Sequence, residues 1–188
     1  MDIKTQIQEY VPVNEQEETD QALLLQLLDG ESDLFARENL AAHFTASAWV
    51  VSPDRKQVLM AYHNLYDSWA WLGGHADGQR DLLQVAKREA VEESGITHIR
   101  SLSSGIFSLE ILPVYGHEKR GKYVPTHLHL NVTYLFEAPV SDELHKKADE
   151  NSAVAWIDVD DIPNKSTEAW FVKRIYSKLC EKVRITAI

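Results

Sequence analysis

The feature that most limits what this chain can fold into is a double glycine followed by a helix whose two ends are both marked. Gly73-Gly74-His75-Ala76-Asp77-Gly78-Gln79-Arg80 leads to Asp81, with Gln84 three residues further on, the pattern of a capped helix start. Gly95 supplies the left-handed residue that ends a helix, so a helix is expected from Asp81 to Ser94. On it Glu89, Glu92 and Glu93 stand at i, i+3 and i+4, which puts three carboxylates on one face within about one turn. Like charges so close repel one another, and a helix built for stability alone avoids them. A divalent cation removes the repulsion, and oxygen-only ligands favour Mg2+ or Mn2+ over zinc. Magnesium on a few carboxylates keeps positions for water and phosphate oxygens, and it activates water for attack on phosphorus. The competing reading is a solvated, acid-rich helix face.

The flanking patterns place that helix in a mixed α/β fold. Asn14 can cap a helix running from Glu15 to Asp29, Glu17 completes a capping box, and Gly30 follows its end. Leu23, Leu24, Leu27 and Leu28 give that helix a broad apolar face, and residues 1–39 read as a helical extension before a main domain over 40–188. Phe44, Ala46, Ala48 and Val50 alternate with His43, Thr45, Ser47 and Trp49, the period of a strand. Ser52-Pro53-Asp54-Arg55 is turn chemistry, and Gln57 to Tyr62 reads as the returning strand. Further strands are expected over Ile106–Tyr115, Tyr123–Phe136 and Ala153–Val159, with a closing amphipathic helix from Thr167 to Val183. Strands, a helix, more strands and a terminal helix predict a mixed sheet covered by helices.

Composition narrows the partners. A formal charge of −10 repels nucleic-acid backbones and anionic membranes, so neither is expected as a main partner. An anionic substrate then needs something positive to receive it, and a bound metal fills that need. No apolar run approaches the roughly 20 residues of a membrane span. The start, Met-Asp-Ile-Lys-Thr-Gln, has no signal-peptide core, and the single cysteine, Cys180, allows no internal disulfide, so the cytoplasm is the expected compartment.

The stretch from Gly74 resembles the Nudix box: glycine, five residues, Glu, seven residues, then Arg-Glu-aliphatic-x-Glu-Glu-x-Gly-aliphatic. Arg88, Glu89, Glu92, Glu93, Gly95 and Ile96 fall in register with it. The resemblance implies a Nudix-type α/β/α sandwich over roughly residues 40–165 and hydrolysis of a nucleoside diphosphate-linked or related small metabolite. It implies that Glu89, Glu92 and Glu93 hold the metal, that the carbonyl of Gly73 adds a ligand, and that Arg88 orients the glutamates. Glu92 and Glu93 are then the catalytic carboxylates. Glu150, six residues before Trp156, resembles the late loop where some members carry an additional acidic ligand or base. A homodimer is common in the family. Two positions depart: Arg80 stands where the box has Glu, and Ala90 where a larger aliphatic is usual. The missing carboxylate braces the loop near the box arginine, a role open to Asp77 or Asp81, while Arg80 moves positive charge toward the site.

Outside the box, His127, His129, Asn131 and Thr133 alternate with Leu128, Leu130, Val132 and Tyr134, and His43, Thr45 and Ser47 form a similar stripe. Both stripes are read as lining one substrate cleft, against an ordinary solvated sheet face. A zinc site at His127 and His129 lacks a third ligand of that type nearby in sequence. The cluster His117-Glu118-Lys119-Arg120-Gly121-Lys122 sits at an expected hairpin tip, where Lys119 and Arg120 are candidates to clamp phosphate and a plain solvated turn is the alternative. Tyr66, Trp69 and Trp71 read as core or as a base-stacking platform, His75 and Asp77 as loop contacts to substrate or metal, and Cys180 as a buried, inert thiol.

Two other functions share the fold. A diphosphate isomerase of the isopentenyl type uses a cysteine in its site, and the only cysteine here is far along the chain. A Nudix-like nucleotide sensor would need no turnover. Retention of all three glutamates points instead to a working metal site.

Overall fold

The computed structural model describes residues 1–30, 32–119, 121–147 and 151–185. At its centre two long strands run side by side in parallel, β1 (Ala42–Val51) and β9 (His127–Glu137), from Ala42 opposite Leu128 to Val51 opposite Glu137. All ten residues of β1 are buried, because both its faces and both its edges are covered. On its other side β1 meets β2 (Gln57–His63) at Val51–Val58 and β4 (Leu72–His75) along 45–48. β3 (Ser68–Ala70) and β10 (Asn151–Asp158) flank β2, while β5 (Arg100–Ser101) and β6 (Ser108–Val114) share the outer side of β9. Every pairing except β1–β9 is antiparallel.

Alternation then sorts side chains to the two faces. Phe44, Ala46, Ala48 and Val50 with Leu130, Val132, Tyr134 and Phe136 build the larger core, under Leu82, Val85, Ala86 and Ala90 of α3 (Leu82–Ser94). Ile3 and Ile7 of α1 (Ile3–Glu9) and Leu24 of α2 (Glu15–Leu28) enter the same core. The opposite face carries Trp49, Val51 and Leu135 against Ile175, Tyr176, Leu179 and Val183 from the C-terminal helical segment. The result is a mixed sheet with helices on both sides, the α/β/α sandwich expected. Among the described residues no helix is long and apolar enough to cross a membrane.

Several elements differ from expectation for identifiable reasons. α1 is a helix that the larger hydrophobic pattern hides; its signals are Asp2, whose carboxylate accepts from Thr5 N at 2.9 Å, and the i, i+4 pair Ile3 and Ile7. The long strand expected from Tyr123 is two strands, β8 (Lys122–Val124) and β9. Pro125 between them has no N–H to give a ladder. β8 instead pairs with β7 (His117–Lys119) as a separate hairpin. After a short α4 (Ile162–Lys165), the single closing helix is a turn of α5 (Ala169–Phe171), a π-helical turn over Val172–Tyr176 and α6 (Ser177–Ile185). The extra residue in that turn lets consecutive Ile175 and Tyr176 both face the core, and Ser177 Oγ donates to the Val172 carbonyl at 2.7 Å.

β6 is an edge strand, consistent with Pro113 within it, and α2 covers its free side. Gln16 Nε2 donates to the Leu109 carbonyl at 3.1 Å, and Ile111 N donates to Asp20 Oδ2 at 3.0 Å. Asn14 caps α2 as expected, accepting from Glu17 N at 3.0 Å, but the Glu17 carboxylate turns inward and is fully buried. It accepts from Tyr10 OH at 2.7 Å, Val13 N at 3.0 Å and Ser108 Oγ at 2.9 Å, with Lys178 Nζ at 3.0 Å and Lys182 Nζ at 3.5 Å. Lys178 also reaches buried Glu110 of β6 at 3.0 Å. Burial alone would push the Glu17 carboxyl up, but Lys178, Tyr10 and Lys182 together hold it below the usual range.

Removing one member of this network strands buried charge. Glu17→Ala is expected to lower stability by about 3–5 kcal/mol in urea unfolding, and a loss under about 1 kcal/mol would contradict the account. Because the folded carboxyl is more acidic than the unfolded one, its contribution is complete above the unfolded value and fades as pH falls through the folded one. Glu17→Gln is therefore expected to flatten the acid limb of stability against pH.

Candidate active site

The double glycine is where strand β4 docks on helix α3. β4 lies antiparallel to β1, with Gly73 opposite Ser47 and Gly74 opposite Ala46. A Cβ on Gly73 would stand 2.7 Å from the Ala46 carbonyl oxygen and 2.8 Å from the Ser47 Cα, so only glycine allows this approach. A Cβ on Gly74 would stand 2.5 Å from the Glu89 carboxyl carbon. The following loop turns through Asp77 and Gly78, both with positive φ (49° and 84°), and enters α3 where Asp81 accepts from Gln84 N at 3.2 Å. Gly95 ends the helix with φ 76°, its N–H on the Val91 carbonyl at 2.8 Å. Both expected ends of the helix are present.

The three glutamates occupy different surroundings. Glu93 is buried, its Oε2 accepting from Gly73 N at 2.8 Å and its Oε1 from Asn151 Nδ2 at 3.3 Å. Glu89 lies across Gly74 and accepts from Arg88 Nη2 at 2.8 Å. Glu92 is half exposed, with Arg88 Nε at 3.8 Å and Lys147 Nζ at 3.9 Å. Arg88 thus spans Glu89 and Glu92, and the Glu89 hydrogen bond is the main reason its guanidinium holds its proton more tightly than usual. Three carboxylates beside a bare glycine strand suit a hard divalent ion in chemistry, but among the described residues they are not gathered to within 4.8 Å of one another, each being held by its own partners. Glu92 is the carboxylate that reaches solvent.

Arg80 does not bring charge to the glutamates. Its guanidinium lies over the Phe35 ring at 4.5 Å, with Asp33 Oδ1 at 3.7 Å. The bracing role falls partly to Asp77, which is gripped by the Arg37 guanidinium through two hydrogen bonds and whose charge also bears on Arg88. Asp81 serves as helix cap. Ala90 is buried in the larger core, where its small side chain fits α3 to the sheet.

The two polar stripes do lie on one sheet face, His43 opposite His129, Thr45 opposite Asn131 and Ser47 opposite Thr133. They divide into two parts. Asn131 is buried and internally satisfied: Thr45 Oγ1 and Ser47 Oγ donate to its Oδ1 at 3.0 and 2.9 Å, and its Nδ2 donates to Glu110 Oε2 at 2.9 Å. At the other end His43, His127 and His129 gather with His75 from β4, with ring centroids of contacting pairs 4.9–5.2 Å apart. Burial, then the charges of Arg37 and His43, pushes the His75 imidazole down to about 3, and burial, then His75 and His43, pushes His129 to about 2. Lys119 in the β7–β8 hairpin is close enough for its charge to act on His75. Arg120 and Glu150 lie outside the described residues. Arg37, Asn151 and Lys147 were not foreseen. Each arrives from a segment remote in sequence, and only the fold brings it to the box.

The aromatic residues before the glycines are packing groups in this structure. Trp71 meets Phe171 and Tyr176 edge-on, Trp69 meets Tyr62 edge-on, and Tyr66 stacks on His63. Cys180 on α6 is partly buried rather than fully enclosed, and the burial it has pushes its thiol up to about 11, which keeps it protonated at neutral pH.

A mixed sheet between helices, with a glycine-lined strand docked on a tri-glutamate helix, defines the architectural class. A family model described as the NUDIX domain matches residues 42–179, and the chain belongs to the Nudix family. A NUDIX-family hydrolase from Clostridium perfringens is similar at TM-score 0.52 and 21% identity over 76% of this chain and 96% of that one. A binary complex of a C. elegans Ap4A hydrolase is similar at TM-score 0.54 and 20% identity over 75% and 94%. The M. smegmatis Nudix hydrolase RenU is similar at TM-score 0.54 and 15% identity over 85% and 99%. At these identities the structures speak to the fold. No curated protein sequence matches the chain.

The glycine geometry makes a paired prediction. Gly73→Ala forces a methyl against backbone and is expected to cost about 2–3 kcal/mol in denaturant unfolding. At Gly74 the three atoms nearest an added methyl all belong to the movable Glu89 side chain, and Gly74→Ala is expected to cost under about 1 kcal/mol. Equal costs would show that the two glycines do not play these separate parts.

Proposed function

We propose that the chain hydrolyses a phosphoanhydride bond in a small nucleoside diphosphate-linked or related metabolite, using Mg2+ or Mn2+ held at the box helix. The observation that carries this reading is the buried Glu93 carboxylate, fixed by Gly73 N–H and Asn151 on the helix that also carries Glu89 and Glu92. In this reading Glu89, Glu92, Glu93 and the Gly73 carbonyl hold the ion. When bound, the ion neutralises phosphate charge and makes water a better nucleophile at neutral pH. Arg88 orients Glu89 and Glu92, and keeps their charges from driving the carboxylates apart while the site is assembled. Glu150 is proposed as a further acidic ligand or base, a role supported by its neighbour Asn151, which already touches Glu93.

The substrate is proposed to extend from the box across the histidine-lined end of the sheet. In this reading His43, His127 and His129 line the cleft, Asn131 holds its floor from behind, and Lys119 of the hairpin, with Arg120 next in sequence, contacts phosphate oxygens. The proposed setting is the cytoplasm. A nucleotide sensor without turnover is favoured by one observation: Arg88 and Lys147 already offset the Glu92 charge.

A panel of diphosphate compounds, including nucleotide sugars, ADP-ribose and a dinucleoside polyphosphate of the kind named for the C. elegans structure, assayed with and without Mg2+ or Mn2+, separates these readings. Metal-dependent release of product is expected for at least one compound. Glu92→Gln and Glu93→Gln are each expected to lower kcat by about 100-fold or more with the melting temperature retained. Unchanged turnover in both variants defeats the site assignment, and ligand binding without any turnover supports the sensor.

A further inference from the structure

We propose that His43, His75 and His129 form a second, nitrogen-ligated metal site, which takes a borderline transition ion such as Zn2+ and is separate from the carboxylates of the box. Three adjacent strands each contribute one imidazole to one end of one sheet face. β1 supplies His43, its parallel neighbour β9 supplies His129 directly opposite, and its antiparallel neighbour β4 supplies His75 opposite Thr45. Among the described residues this is the group of three metal-ligating side chains whose donor atoms all lie within 4.8 Å of one another. Points no farther apart than that fit inside a circle of about 2.8 Å radius, against a Zn–N bond of about 2.0–2.1 Å. Each donor therefore has to move by less than about 1 Å to ligate a common ion, a shift within reach of small side-chain rotations.

The hydrogen bonding at the cluster has the form that orients imidazole ligands. His43 is 4% exposed, and its Nδ1 donates to the Asn39 carbonyl at 3.0 Å, which leaves Nε2 as a bare lone pair. That Nε2 is buried and has no hydrogen-bond partner. An unmet buried acceptor is costly, and a metal ion is one way to satisfy it. His127 Nδ1 lies 2.8 Å from the Pro125 carbonyl, which can only accept, so the proton sits on Nδ1 and Nε2 is bare. His127 Nε2 in turn lies 3.2 Å from His129 Nε2 and accepts its proton, leaving the Nδ1 of His129 bare. Backbone carbonyls thus set the tautomers of three rings, His43 and His127 directly and His129 through His127, the arrangement that supports metal-bound histidines.

Charge and ligand type separate this site from the box. Burial keeps His43, His75 and His129 neutral at physiological pH, the form that binds metal. Neutral imidazoles suit Zn2+ and its neighbours, whereas Mg2+ prefers oxygen. Three protein ligands leave a coordination position open for water or an anion. Arg37 is paired with Asp77, and Lys119 adds positive field, so an anionic fourth ligand such as a phosphate oxygen is favoured. Placement of the ion in a substrate cleft rests on the proposed hydrolase reading. Binding of the ion does not.

The test uses the full chain without a histidine tag, stripped with chelator and titrated with Zn2+ alone by calorimetry, with elemental analysis after gel filtration. One equivalent per chain is expected, and Co2+ in its place is expected to give visible d–d absorption. His43→Gln and His129→Gln are each expected to weaken Zn2+ binding by at least about 100-fold, and His127→Gln by about 10-fold to 100-fold. Glu92→Gln and Glu93→Gln are expected to leave Zn2+ binding unchanged, whatever they do to hydrolysis. Circular dichroism of the metal-free proteins shows which variants fold, and His75→Gln, at the end of a short strand, replaces any that does not. Absence of stoichiometric binding by the unaltered chain overturns the proposal, as does binding that survives the histidine substitutions or disappears with the glutamates.

Discussion

The rest of this structure depends on the ten-residue parallel register between β1 and β9. Strand side chains alternate with period two, so a slip of one residue would send every side chain of one strand to the opposite face. Here the register sets Phe44 beside Leu130 and Ala46 beside Val132 under α3, and on the other face sets His43 beside His129 and Thr45 beside Asn131. The Asn131 amide carries this second face. It accepts from both Thr45 and Ser47 and donates to Glu110, tying β1, β9 and β6 together with one side chain. The same β1 strand then presents Ala46 and Ser47 to the double glycine of β4, so the box helix is positioned by the register as well.

A sheet face with so many polar groups is an unusual thing to bury, and the chain does so with its two ends. Glu17 on α2 and Lys178 and Lys182 on α6 meet Glu110 and Ser108 on the edge strand. Buried ion pairs of this kind contribute little net stability compared with apolar packing, since desolvation offsets most of the attraction. Their effect is directional: a lysine with little solvent access must find its carboxylate, so α2 and α6 have one favourable placement. That placement seals the edge of β6 and closes the second face beyond Trp49, leaving the histidine end of the same face as the part not covered by the terminal helix.

Much of this was legible in order along the chain. The caps Asn14, Asp81 and Gly95 marked helix ends through local hydrogen bonding, and the alternation around Phe44 and Leu130 marked the central strands. The box glutamates announced themselves by repulsion. What was not legible depends on distance in sequence. Glu17 reads as a capping-box residue, yet Lys178 and Lys182, more than 160 residues away, draw its carboxylate into the interior. Arg80 looks like a charge at the site until Phe35 gives its guanidinium a ring to lie on. His127 and His129 show two ligands at strand spacing, but His43 and His75 join them only through pairing of β1 with β9 and with β4. Pro125 was visible, and its missing N–H was sufficient reason to divide the strand there.

The box and the histidine end of the sheet differ in chemistry in a way that the chain's net charge of −10 makes instructive. Near the box, carboxylates are balanced by Arg88 and Lys147, so a hard cation entering there competes with protein cations for the same oxygens. At the histidine end the ligands are neutral and no proton has to leave them at physiological pH, so a borderline ion enters without that competition. Gly74 and His75 are consecutive in sequence, and they join the two environments: one lets Glu89 lie across the strand, and the next belongs to the imidazole cluster. A strand that is bare at one residue and ligating at the next separates oxygen from nitrogen chemistry over a few ångströms. If both proposed ions are bound, this separation would let a single phosphate-rich molecule meet a hard and a borderline centre along its length, and Lys119, whose charge acts on His75, would add positive field at the second.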